Sequence, residues 1–233
     1  MALVGSLLAL AASASTLGAT PSDLDRELAQ ILELLPGRYV GETTDPRDPS
    51  RKPINLYHKI ERIDAPQFGS DTVYYHLLAR DGFDSEKPFQ QKIYAFDRRP
   101  DRRTNSMRSW VYLPTTPGSN LERDPERQKS LRQDELMNFP VECAIRWSRA
   151  EPAAGAAAEF VARVKPADCA FPSAAFKQTI RPDMTYVLSA ARFGIQDILN
   201  GENGQPLFPT SGISYAPRVS PRQEGTDLFS RGK

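Results

Sequence analysis

The sequence predicts an all-β fold, an antiparallel barrel of about ten strands preceded by one helix. Three observations lead there: short β-rich runs at regular spacing, turn residues between them, and a helical period confined to the first forty residues. The 233 residues, 39% hydrophobic and 25% charged, suffice for one sizeable core and a single domain over 20–216. A net charge of +1 offers no reason to expect a nucleic-acid partner.

The first element is a leader. Residues 2–19 carry no charge and end in small residues, Ala12-Ser13-Ala14 and Leu17-Gly18-Ala19, the pattern of a signal peptide and its cleavage zone. The expectation is an exported protein, periplasmic or extracellular. A basic N-terminal region is missing, and the alternative is an apolar N-terminal helix. The stretch is too broken for a stable transmembrane segment. Next, Ser22 is placed to cap a helix whose Leu24, Leu28, Ile31, Leu32 and Leu35 share one face, and Pro36-Gly37 ends it.

Strands are predicted at 38–43, 54–63, 72–79, 89–97, 106–113, 141–148, 159–164, 176–180, 185–193 and 212–215. Asp45-Pro46, Arg80-Asp81-Gly82, Arg99-Pro100-Asp101, Arg181-Pro182-Asp183 and Glu202-Asn203-Gly204 supply the turns. Closure into a barrel removes exposed edges and is preferred to a sandwich. The charged stretch 115–138, with Asp124-Pro125 to start a short helix, reads as a solvated insertion in preference to a lid. Residues 153–158 form a small-residue turn, and the polar tail 217–233 is expected to be loosely ordered.

No phosphate loop, nucleophile elbow, zinc-protease or dinucleotide motif is present. Cys143 and Cys169 are the only cysteines. In an oxidising compartment they make one disulfide, and the functional alternative is a thiol that attacks or binds a ligand. His58 and His76 lack ligand spacing beside either cysteine, so no metal is expected. His58 shares a strand face with Ile54, Leu56 and Ile60, and a core histidine is preferred to a proton donor there. Lys92 and Tyr94 alternate on one strand, and Arg108, Trp110 and Tyr112 on the next. Facing inward together they would wall a cavity with aromatic rings and cations, suited to a conjugated, carboxylate-bearing ligand. Facing outward they would form a solvated surface, and alternation is compatible with both.

Several of these segments resemble the CpcT/CpeT-type phycobiliprotein chromophore lyases. Leu34-Leu35-Pro36-Gly37-Arg38-Tyr39 resembles the family's passage from helix to first strand. Pro88-Phe89-Gln90-Gln91-Lys92-Ile93-Tyr94 resembles its Pro-Tyr-Arg-Gln-Arg-Leu-Tyr cassette, with Gln90 and Lys92 in place of two arginines. Val141-Glu142-Cys143, Phe160-Val161-Ala162, Cys169 and Thr185-Tyr186-Val187-Leu188-Ser189 follow in the family's order, so the resemblance spans residues 24–215. It implies a ten-stranded lipocalin-like (calycin-type) barrel that binds a linear tetrapyrrole, a bilin, and delivers it to a cysteine of an acceptor protein as a thioether. The bilin would be a bound substrate and the protein would carry no resident cofactor. Lys92, Tyr94, Arg108 and Tyr112, with His58 and Trp110, are the expected ligand-binding residues. Since phycobiliprotein assembly is cytoplasmic, export points to an alternative: a non-catalytic barrel for another amphiphilic ligand, or an envelope scaffold.

Overall fold

The computed structural model describes residues 21–44, 48, 50, 52–112, 120–150, 158–173, 176–208 and 212–220. The signal sequence expected at 1–19, the turn at Asp45-Pro46 and the turn at 153–157 lie outside these residues.

Helix α1 (Pro21–Leu34) leads into strands β1 (Gly37–Thr43), β2 (Ile54–Ile63), β3 (Val73–Ala79), β4 (Gln90–Phe96) and β5 (Asn105–Tyr112). A short helix α2 (Pro125–Ser130) and strand β6 (Met137–Asn138) follow, then β7 (Ile145–Arg149), β8 (Glu159–Val164), β9 (Phe171–Ser173), β10 (Gln178–Ser189), β11 (Arg192–Asn200) and β12 (Ser214–Pro217). Ten of these make one antiparallel path, β1-β2-β3-β4-β5-β7-β8-β10-β11-β12, with β6 beside β5 and β9 beside β10. The path nearly closes on itself: Tyr39 bridges Arg218, and the Val219 N–H donates to the Arg38 carbonyl at 2.8 Å. The seam is tight, because a Cβ on Gly41 would lie 2.6 Å from the Tyr215 carbonyl oxygen.

The predicted barrel is therefore present, with changes of boundary: the strand expected at 141–148 begins only at Ile145, Val141–Cys143 forming a 3-10 turn, and β6 and β9 are additional. The expected turn at Arg181-Pro182-Asp183 is instead the middle of β10, a twelve-residue strand. Pro182 falls in the break between β9, which pairs 178–180, and β8, which pairs 184–189, so on that side its missing N–H interrupts no ladder. Consequently β11 is a separate strand at 192–200. Of the tail expected at 217–233, the described residues 217–220 are held in place, and 221–233 lie outside the described residues. Pro217 closes β12, and Arg218 donates to the Pro36 carbonyl at 2.9 Å, to the Leu34 carbonyl and to the Tyr39 hydroxyl at 2.6 Å. A cation on the last carbonyls of α1 is favourable both as a cap and against the helix dipole.

Helix α1 plugs one end of the barrel. Leu28, Ile31 and Leu35 are buried in the interior core with Tyr39, Tyr74, Phe160 and Phe193. Hydroxyls from different strands hold it in place, Tyr39 donating to the Leu34 carbonyl at 2.9 Å and Tyr74 to the Leu32 carbonyl at 3.1 Å. From β5, the Asn105 amide donates to the Leu24 carbonyl at 3.1 Å.

A second apolar cluster lies outside the barrel. Tyr75, Leu77, Ile93, Ala95 and Trp110, on the outer faces of β3 to β5, are covered by Phe68, Leu121, Leu131 and Leu136. The stretch expected as a solvated insertion is thus, from residue 120 onward, a packed outer layer. Its helix start is as read from sequence: the Asp124 carboxylate accepts from the Arg127 N–H at 2.9 Å and Pro125 occupies the first turn. Cys143 and Cys169 form a disulfide joining the approach to β7 with the β8–β9 connection.

Candidate functional site

Antiparallel register determines which predicted residues meet. On β4 and β5, Lys92 pairs with Val111 and Tyr94 with Ser109, whereas Ile93 pairs with Trp110 and Ala95 with Arg108. Paired residues share a face. Lys92 and Tyr94 therefore point into the barrel, and Arg108, Trp110 and Tyr112 point out. The five-residue cavity wall, one of the two arrangements that alternation allowed, does not form. Trp110 is wholly buried under the outer layer, edge-on to Phe68 at 5.0 Å. Arg108 lies over the Trp110 ring at 4.6 Å, and Tyr112 packs at the margin of the same cluster.

His58 does face inward, and it joins Lys92 and Tyr94 through partners that the sequence reading had not assembled. His58 Nδ1 lies 3.1 Å from His76 Nε2, and His76 Nδ1 lies 2.9 Å from the Tyr94 hydroxyl. Tyr94 hydrogen-bonds Tyr186. The Lys92 ammonium donates to the Tyr186 hydroxyl at 3.3 Å and pairs with the Asp197 carboxylate. Six side chains from β2, β3, β4, β10 and β11 thus form one line of hydrogen bonds. Phe193 packs edge-on against both histidine rings.

Burial controls the protonation of this line. Loss of hydration, with the Lys92 charge nearby, lowers His58 to about 3 and holds His76 well below the usual imidazole range. Both rings are neutral at neutral pH. Burial likewise holds the Tyr94 and Tyr186 hydroxyls well above the ordinary phenol range, so they stay protonated donors. His58 Nε2 has no hydrogen-bond partner. The interior around these groups is filled: His58, Tyr94 and Phe193 are each 0% exposed, which leaves no water-sized void against them.

The line reaches water at one end. Lys92 lies near the start of β4 and Asp197 near the end of β11, both toward the mouth opposite α1. The Lys92 side chain is 3% exposed and that of Asp197 is 23% exposed. Leu56, Leu78, Met184 and Leu199, on the inner faces of their strands by alternation with His58, His76, Tyr186 and Asp197, line the same end. Asp197 was missed because its strand was missed, although Phe193, Ile195, Asp197 and Leu199 do recur at the strand period. Among the described residues, no group of three or more His, Cys, Asp or Glu side chains is placed to hold a metal ion. No helix among them is long and apolar enough to cross a membrane.

No family model and no curated protein matches the chain. Among solved structures it is similar to the CRL protein of Arabidopsis, at 16% identity and a TM-score of 0.56, over 87% of this chain and 100% of that one. That likeness shows a shared fold. The chain also aligns with the T-type phycobiliprotein lyase CpeT from Prochlorococcus phage P-HM1, at 13% identity and a TM-score of 0.44, over 83% of this chain and 98% of that one.

Proposed function

We propose that this protein is a chromophore-lyase-like barrel that binds a linear tetrapyrrole through the mouth opposite α1 and presents it to a cysteine of an acceptor protein. The observation that carries this reading is the inner-face line itself. It joins Lys92 and Tyr94, from the cassette that resembles the lyases, to His58, His76, Tyr186 and Asp197. A cation, a carboxylate and two neutral phenols inside an apolar barrel match the chemistry of a bilin, which has propionates, pyrrole N–H groups, terminal carbonyls and a conjugated face.

In such a reaction the acceptor supplies the nucleophile. Its thiol adds across the exocyclic ethylidene, so that a carbon–sulfur bond forms and the thiol proton ends on the bilin. The barrel has to orient the chromophore and keep water from the ethylidene. Lys92 would hold a propionate, and Tyr94 or Tyr186 would donate to a carbonyl or pass a proton. On this reading the barrel needs no nucleophile or triad of its own.

A titration with phycocyanobilin tests the reading, following absorption and fluorescence of the folded, oxidised chain. The expected result is a saturable spectral shift, weakened at least tenfold in Lys92→Met and altered in Tyr94→Phe. Transfer to a cysteine-bearing acceptor is the second stage. An unchanged spectrum would favour the second reading, to which the filled interior lends weight: an exported, non-catalytic barrel that takes a smaller amphiphile at its mouth.

A further inference from the structure

We propose that Lys92 is a carboxylate-binding site which the chain occupies with its own Asp197, and that an amphiphilic carboxylate entering the mouth takes the place of Asp197. The proposal deepens the reading above, since bilin propionates belong to this ligand class.

The argument starts from an asymmetry within the ion pair. The Lys92 side chain is 3% exposed, inside the barrel, while that of Asp197 is 23% exposed at its wet end. The ammonium is enclosed by the barrel wall, whereas the carboxylate already meets water and can turn outward from near the end of β11. What stays behind is a positive charge that needs an oxygen anion. A Tyr186 hydroxyl lies at 3.3 Å and the Tyr186 ring at 5.6 Å, and these orient the ammonium toward the mouth without neutralising it.

The surroundings select the incoming anion. Toward the mouth the inner face continues as Leu56, Leu78, Met184 and the partly buried Leu199. Leu56 and Leu78 are buried without belonging to either apolar cluster, while Met184 belongs to the interior core and Leu199 packs against it, and together the four form an apolar collar at the mouth. A carboxylate at Lys92 would run its carbon skeleton out through that collar. A phosphate or sulfate head with no apolar body would gain the charge pairing but not the collar.

Removal of Asp197 is the direct test. In Asp197→Ala, sodium acetate should raise the melting temperature saturably, by about 3 to 6 °C at tenfold excess over half-saturation. Sodium chloride at equal ionic strength should not, nor should acetate act on the wild type or on Asp197→Ala combined with Lys92→Met. An equal response of the single and double variants to acetate would overturn the site. Asp197→Asn, isosteric with the native side chain, serves a second arm that does not require the alanine variant to fold. It should bind biliverdin several-fold more tightly than the wild type, and biliverdin dimethyl ester with no such gain. Equal biliverdin affinity in wild type and Asp197→Asn would sink the site and leave the bilin reading standing. Acetate rescue without biliverdin binding would do the reverse.

Discussion

Protonating His58 inside the barrel would create a cation near Lys92 with its Nε2 still unpartnered. An imidazole that ionises at about 6.5 when unfolded and at about 3 when folded binds its proton preferentially in the unfolded chain. Stability from His58 is therefore complete above pH 6.5 and is lost as pH falls from there toward 3, at up to about 1.4 kcal/mol per pH unit. His76 adds a loss of the same sign. Urea midpoints should drop steeply between pH 6.5 and 4, and unfolding of His58→Leu should take up about one proton fewer. Trp110 makes a different prediction at this scale. Because it sits under the outer layer and not in the barrel, Trp110→Ala should cost about 3 to 5 kcal/mol in stability. Any variant that remains folded should keep the ligand response of the wild type, and loss of that response in a folded sample would contradict the assignment of faces.

Among the elements, the seam between β1 and β12 depends on the absence of a side chain. Any Cβ on Gly41 meets backbone at 2.6 Å, and the Ala216 Cα lies at 3.0 Å. Gly41→Val should destabilise by more than about 2 kcal/mol and speed exchange of the amides in β12. The disulfide binds elements on another part of the wall. Its two cysteines are 26 residues apart, and loop-closure entropy for that spacing is worth about 3.5 kcal/mol. A Cys143→Ser, Cys169→Ser double variant should lose roughly that much in denaturant unfolding.

At the scale of the whole molecule, one barrel wall serves two apolar layers: an interior core closed by α1, and an outer layer laid over β3 to β5 by residues 120–138. The polar line runs through the first and opens opposite the helix. Ile31→Asp should place a charge in the wholly buried plug and unseat α1, with binding of an apolar dye as the readout. The helix, nine of the strand positions, the Asp124 cap and the available cysteine pair were legible in the sequence. Each depends on a local period, on a turn residue or on there being only two thiols. Which face of β5 accompanies Lys92 was not legible, because alternation gives two faces without naming them, and the choice came from cross-strand register against β4. The partnership of Lys92 with Asp197, 105 residues apart, and the hold of Arg218 on a helix more than 180 residues upstream were decided only by closure of the barrel. A desolvated charge is placed by what surrounds it in space, and neighbours along the chain carry no record of that.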